Sequence, residues 1–235
     1  MTGEGATGVG VVAALAAEAR ALGPAVKRIG DVGCLIDGTL VAVSGIGAAA
    51  AGLAAARLIE AGASALMSFG LAGGLDPSLS AGSVVLPSEI ISRAGARFLT
   101  SSGWREQLRS RIAKQRPVAD GPLLSSLGLI GAVADKAAAF RETGAVAVDM
   151  ESFAVAQVAA AHGLPFVALR VIVDTAVDEL PRAVAAASRA GQVNLRRLVG
   201  GIVLAPLDLV ALIRLAQRYR AATRSLAAVA GARVA

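Results

Sequence analysis

Aromatic side chains are almost missing from this chain: five Phe, one Tyr and one Trp among 235 residues. Its core must be filled by Ala, Val, Leu and Ile, and a flat ligand has few rings to stack on. A single cysteine, Cys34, excludes an intrachain disulfide and is too little for a structural zinc site. That usage fits a reducing compartment. The one histidine, His162, stands before Gly163 at the expected end of a helix and reads as helix-terminal rather than catalytic. Residues 1–8 carry no basic stretch ahead of an apolar run, so no signal peptide is expected and a cytoplasmic setting is. Long apolar runs are lacking too. Residues 195–215 come nearest to a membrane span, but Arg196, Arg197, Pro206, Asp208 and Arg214 interrupt them, and the uncharged stretch 198–207 is too short to cross a bilayer.

Acids are scarce in the C-terminal segment 182–235. It carries nine Arg against one acid, Asp208, for a net charge of +8, whereas residues 1–181 carry −2. Such a basic, apolar tail suits an anionic membrane surface, or else is a solvated helix face. No nucleic-acid partner is expected, because the tail offers one aromatic, Tyr219, and no binding module. Neither a metal-ligand cluster nor a dinucleotide fingerprint is present, so no cofactor and no metal are expected.

What is present is an alternation of short apolar runs with helical segments, the mark of an α/β sheet protein. Strands are expected at 9–15, 32–36, 40–43, 65–69, 84–91, 123–133, 145–148 and 166–173. Asp37-Gly38 joins the second and third as a hairpin. Helices are expected at 16–22 (stopped by Gly23-Pro24), 48–61 (ended by Gly62), 136–141 and 152–161, with 104–115 a helix or loop. Beyond Asp174 the pattern is helical, at 181–190, 192–204 and 207–228. With no repeat and no linker, residues 1–235 read as one domain ending in the basic helical segment 182–235.

Two acids stand out at strand ends. Glu151 follows the apolar run 145–148 and opens a helix; Asp174 ends the run 166–173. The crevice at the carboxyl ends of strands is where open α/β sheets bind ligands, so these two carboxylates can share one site. Without that context Glu151 would read as a helix-start acid and Asp174 as an N-cap.

Val148-Asp149-Met150-Glu151-Ser152, then Pro165-Phe166-Val167 and Arg170-x-x-x-Asp174, resembles the nucleoside phosphorylase and nucleosidase superfamily. Gly10-Val11-Val12-Ala13-Ala14-Leu15-Ala16-Ala17-Glu18 is similar to the first strand of methylthioadenosine/S-adenosylhomocysteine nucleosidases. Ser44-Gly45-Ile46-Gly47 and Gly70-Leu71-Ala72-Gly73-Gly74-Leu75 are similar to that family's two glycine loops. The order holds from about residue 8 to 178. Within the superfamily, residues 143–152 and the apolar, Arg-rich C-terminus look most like the hopanoid-associated branch, which removes adenine from adenosylhopane, a lipid nucleoside. The resemblance implies a three-layer α/β/α domain with a central mixed twisted sheet. It also implies a homo-oligomer and cleavage of an adenine nucleoside at its N-glycosidic bond.

That reaction needs an acceptor for the ribose hydroxyls, a proton for the leaving purine and a placed nucleophile, a logic parallel to the carboxylate pair of glycosidases. Glu151 suits the hydroxyls, with Met150 against the sugar. Asp174 suits the proton donor at N7, provided burial raises its pKa. Glu18 matches the nucleosidase residue that activates water. A carboxylate there would repel phosphate, so Glu18 points to hydrolysis, although inorganic phosphate stays open as co-substrate and Arg93 as its holder. Ser44 and Gly45 precede a helix and can offer amides to an anion or a polarised water; Gly73 lets backbone approach the substrate. Leu71 and Val173 stand where relatives usually have Ser, and an apolar residue at 71 fits a greasier substrate. The purine-stacking Phe of the methylthioadenosine enzymes has no counterpart in 125–136; Phe140 is at the wrong offset. A non-catalytic nucleoside-binding protein is the competing class, but it would not need Glu18, Glu151 and Asp174 together. A membrane-associated scaffold would be supported by the tail alone.

Overall fold

In the computed structural model, residues 8–180 and 208–231 are described. Their strands join in one 12-stranded mixed sheet. At its centre β1 (Gly8–Ala13) runs parallel to β4 (Leu40–Val43) on one side and to β5 (Ala63–Gly74) on the other. β2 (Lys27–Ile29) and β3 (Val32–Cys34) extend the β4 edge antiparallel. The β3–β4 pair is the hairpin expected at Asp37-Gly38, where the Thr39 N–H donates to Asp37 Oδ1 at 3.0 Å.

β5 organises the rest. Along most of its length it pairs in parallel with β12 (Phe166–Asp174), and its last two residues pair antiparallel with β11 (Ala147–Asp149). β10 (Leu123–Ser125), β7 (Glu89–Ser92) and β8 (Arg97–Leu99) continue beyond β11, while β6 (Val84–Val85) and β9 (Val118–Ala119) branch from β12. The two strands carrying Asp149 and Asp174 are thus both neighbours of β5, whose end lies between them.

Helices cover both faces. α2 (Ala48–Glu60) and α5 (Ser152–Ala161) pack together on one, and their small residues let the helices approach closely. Ala51, Ala55, Leu58, Val155 and Ala159 press there on Leu66, Phe166 and Ile172. The other face is covered by α1 (Ala16–Ala21), α3 (Ser102–Ile112) and α6 (Asp208–Ala230), with Trp104, Leu108, Leu226 and Val229 against Phe69, Leu169 and Val171. α4 (Val133–Thr143) closes the end of the sheet, with Ala139 against Leu124 and Val148. The architecture is the three-layer α/β/α expected.

Several boundaries differ from expectation for identifiable reasons. The run 84–91 is two strands, because Pro87 has no N–H to donate to a ladder. The strand at 123 stops at Ser125, and the following residues form a loop before α4 begins at Val133, three residues earlier than expected. β5 does not stop at residue 69; the second glycine motif continues as strand to Gly74, since β12 and β11 supply its partners. Residues 104–115 form helix α3 rather than loop. In α6 the packed residues are Ala222, Leu226, Val229 and Ala230, while Ala216 is exposed. Helices expected at 181–190 and 192–204, and the uncharged stretch 198–207, lie outside the described residues.

Candidate active site

Glu18 belongs to the first turn of α1, just after β1 ends. Its side chain folds back over that turn. Leu15 N–H donates to Oε2 at 2.9 Å and Leu71 N–H, from β5, donates to Oε1 at 2.9 Å. It is only 3 % exposed, so it is not the solvent-facing acid of an isolated helix turn. Burial pushes its carboxyl above the usual range, opposed by the Arg170 guanidinium and by the backbone donors. Space for it depends on Gly70, where a Cβ would come within 2.6 Å of Glu18 Oε1 and of Arg170 Nη1.

Glu151 stands between β11 and α5. Its Oε1 accepts from Gly47 N–H at 2.8 Å and its Oε2 from Met150 N–H at 3.2 Å. Gly47 enters α2 with φ +105°, a conformation glycine adopts without strain. Burial raises the Glu151 carboxyl, and Asp149 adds to the rise; Arg170 and the two amides oppose it.

Asp174 ends β12 at a register slip opposite Gly73. A Cβ on Gly73 would lie 3.3 Å from Asp174 Oδ2 and 3.3 Å from Val148 Cγ1, so the glycine makes room for the carboxylate. Lys136, fully buried on α4, donates to Asp174 Oδ2, to Thr175 O at 2.8 Å and to Asp178 O at 2.9 Å. Burial pushes the Asp174 carboxyl up; Lys136 is the main opposing influence, Asp178 adds to the rise and Arg218 opposes it. In the turn that follows, Asp178 accepts from Thr175 N–H at 2.9 Å.

Beneath these acids Arg170 crosses from β12. Its Nη2 donates to Ser152 Oγ at 2.9 Å and Ser68 Oγ at 2.5 Å and is ion-paired with Asp149 Oδ2 at 2.6 Å. Asp149 also accepts from Ser152 N–H at 3.2 Å, capping the start of α5.

Glu18, Glu151, Asp174, Met150, Gly73, Leu71 and Val173 all line one cavity of about 260 Å³, at the carboxyl ends of β1, β5, β11 and β12. Its remaining walls are largely apolar: Ile46, Val148, Leu129, Ile130, Leu180 and, from α6, Tyr219. Ser44 and Gly45 are not among the lining residues. Ser44 Oγ donates to Gly45 O at 2.6 Å, and the loop's contribution is Ile46 to the wall and the Gly47 amide to Glu151. Arg93 lies at a separate cavity, with Ser92, Arg97 and Glu142. Phe140, on α4, packs into the cluster with Leu124 and Ile91 rather than lining this cavity. His162 caps the end of α5, exposed, with Nδ1 2.9 Å from Val158 O.

Sequence reasoning missed the charged partners of the acids and several wall residues. Arg170 and Asp149 were within quoted motifs; a charge in the apolar run 166–173 was the signal that Arg170 is buried and paired. Lys136 carried the weaker signal of a cation in a helix's first turn, where the macrodipole disfavours it. Leu129 and Tyr219 carried none. Glu18, Glu151 and Asp174, on one cavity, can together bind hydroxyls, deliver a proton and activate a water.

Known structures share this frame. A 5′-methylthioadenosine/S-adenosylhomocysteine nucleosidase from Neisseria meningitidis, in complex with methylthio-immucillin-A, is similar with a TM-score of 0.71 and 24 % identity over 97 % of each chain. The Helicobacter pylori nucleosidase of the same name matches at 0.69 and 20 %, over 86 % of this chain and 100 % of that one. The futalosine hydrolase of Helicobacter pylori matches at 0.69 and 20 %, over 85 % and 98 %. At these identities the likeness establishes the fold. Family membership comes from the sequence pattern of the phosphorylase superfamily, which matches residues 5–203. That match takes in β1, the glycine segments, Glu18, Glu151 and Asp174, and the chain is therefore an enzyme of the phosphorylase superfamily.

Proposed function

We propose that this enzyme cleaves the N-glycosidic bond of an adenine nucleoside bearing an apolar 5′ substituent and releases adenine. The observation that carries the reading is one cavity lined by Glu18, Glu151 and Asp174, with Asp149 ion-paired to Arg170 beside them and aliphatic side chains forming most of the rest. In the reaction C1′–N9 breaks and the electron pair stays with the base. Asp174 gives its proton to N7. Glu151 accepts from the ribose hydroxyls as the sugar becomes oxocarbenium-like. Glu18, ionised, takes a proton from the water that attacks C1′. For this division of labour the acids must differ in charge, and their surroundings differ: amides hold Glu18 and Glu151, a lysine holds Asp174.

Water rather than phosphate is the nucleophile in this reading. The buried cations beneath and beside the cavity, Arg170 and Lys136, are already paired with Asp149 and Asp174, and Glu18 would repel an incoming phosphate. The 5′ group is read as long and apolar, with adenosylhopane of hopanoid biosynthesis as the substrate, on the resemblance of residues 143–152 and on Leu71, Leu129, Leu180 and Val173 in the walls. The second reading, a methylthioadenosine/S-adenosylhomocysteine nucleosidase, is favoured by the shared fold. The proposal extends to a cytoplasmic homo-oligomer whose tail docks on the inner membrane face. Arg214 and Arg220 are exposed for such docking, whereas Arg218 is paired with Asp178. Among the described residues no helix is long and apolar enough to cross a membrane.

The test is incubation with 5′-modified adenosines carrying short and long apolar groups, with and without phosphate. Adenine and a free sugar without phosphate, fastest with long chains, are expected. A strict phosphate requirement with a 1-phosphosugar product overturns the hydrolytic assignment, and preference for short 5′ thioethers selects the second reading. Light scattering reads the oligomer. Sedimentation with anionic vesicles at low and high salt reads membrane docking, which absence of binding at low salt would refute.

A further inference from the structure

Lys136 is the most completely buried cation that the proposed reaction leaves without a job. It stands one turn into α4, at the helix end that repels positive charge. No apolar requirement puts it there. Its three acceptors, Asp174 Oδ2, Thr175 O and Asp178 O, come from the end of β12 and the turn that follows. An ammonium has three N–H donors, so the set is filled by the charged form and the charge is turned wholly toward Asp174 and that turn. Among the described residues Lys136 is also the only hydrogen-bond donor to the Asp174 carboxyl, and it takes one oxygen.

We propose that Lys136 is the positioning residue of the proton donor: it grips Asp174 by Oδ2, leaves the other oxygen for the leaving base, and balances the negative charge that grows on Asp174 as its proton departs. The inference rests on the reaction proposed above. Before transfer the pair is a neutral carboxylic acid beside an ammonium. As C1′–N9 breaks, the proton passes from the free oxygen to N7, and Asp174 becomes a carboxylate facing Lys136. Solvent returns the proton once adenine has left. The lysine thereby makes Asp174 a stronger acid than its burial alone would allow. The other charged groups around Asp174 are Asp178 in the turn and Arg218 on α6, which pair with each other at 2.7 Å; Asp149, Glu151 and Glu18 lie across the cavity.

The decisive experiment compares wild type with Lys136→Gln and Lys136→Arg, following kcat and kcat/KM for adenine release against pH, with folding checked by circular dichroism and thermal melting. Removing the charge should move the basic limb of kcat/KM upward by roughly 1–3 units, the span an adjacent opposite charge commands, and lower the plateau kcat. The arginine variant keeps the charge and should leave the limb in place. A uniform loss with an unmoved limb in Lys136→Gln means a purely structural lysine and overturns the proposal. Should the glutamine variant not fold, a limb displaced upward in Lys136→Arg overturns it and an unmoved limb supports it. The Asp174 carboxyl carbon, followed by NMR titration and assigned with Asp174→Asn, reads the same displacement without substrate. A wild type that releases no adenine therefore refutes the reaction, and an NMR titration indifferent to Lys136 refutes this inference.

Discussion

Arg170–Asp149 and Lys136–Asp174 are both buried cation–carboxylate pairs beside the same cavity, yet their surroundings divide them. The floor pair is enclosed by neighbours: Arg170 also holds Ser68 and Ser152, and Asp149 caps α5, so one guanidinium ties β5, β11, β12 and a helix start together. The wall pair is joined differently. Lys136 spends all three donors, while the Asp174 carboxyl has one of its oxygens still uncommitted among the described residues. A buried charge knit into several strands and a helix start is architecture; a buried carboxylate with a free oxygen beside a cavity is available for chemistry.

Breaking the floor should give the largest effect. Arg170→Met leaves Asp149 buried without its counter-charge and should cost about 3–5 kcal/mol of stability, read by urea unfolding. If the loss is under about 1 kcal/mol, the typical weight of an exposed pair, the floor is not the clamp described. Asp174→Asn should do the opposite: fold and bind nucleoside, but turn over at least about 100-fold more slowly, the scale of a lost positioned acid. Near wild-type adenine release would assign the proton to another group.

Smaller effects follow from the amide-held acids. Burial raises the folded-state pKa of Glu151. Its protonated form therefore suits the fold, and that contribution is complete below the unfolded value, about 4.5, and lost as pH rises through the folded value, about 7. Stability of the wild type should decline with rising pH between about 5 and 8 more steeply than that of Glu151→Gln, measured as urea midpoints across that range. Parallel slopes would show that Glu151 does not titrate there. The smallest change is expected at Arg218, whose side chain is 37 % exposed where it pairs with Asp178. Arg218→Met should cost less than about 1 kcal/mol. A larger loss would mean that α6 is held on the sheet by this pair rather than by Leu226 and Val229.

Much of the site was legible because strand ends announce themselves. Glu18, Glu151 and Asp174 each follow an apolar run, and the sheet topology collects such ends on one side. The hairpin at Asp37-Gly38 and helices α2 and α5 were legible for the same local reasons, turn chemistry and spacing. Loops were harder. The segment after Ser125 looked like a continuing strand because Leu127, Leu129 and Ile130 are apolar, but Leu127 is 87 % exposed and Ile130 faces the cavity. Ser44 and Gly45 looked like binders because a glycine loop before a helix can hold an anion. The structure spends the loop's Gly47 amide on Glu151 instead.

Local order in the chain determined an α/β domain of Ala- and Val-rich strands, with carboxylates at the ends of β1, β11 and β12, since hydrophobic period and turn residues act over a few neighbours. Only the tertiary structure decided which cations meet those acids. Lys136 lies 38 residues before Asp174, and Arg170 lies 102 residues from Ser68. Tyr219 comes to the cavity from a helix that follows β12 far along the chain. No local pattern encodes such meetings; they follow from closing the sheet and burying charges that must then find partners.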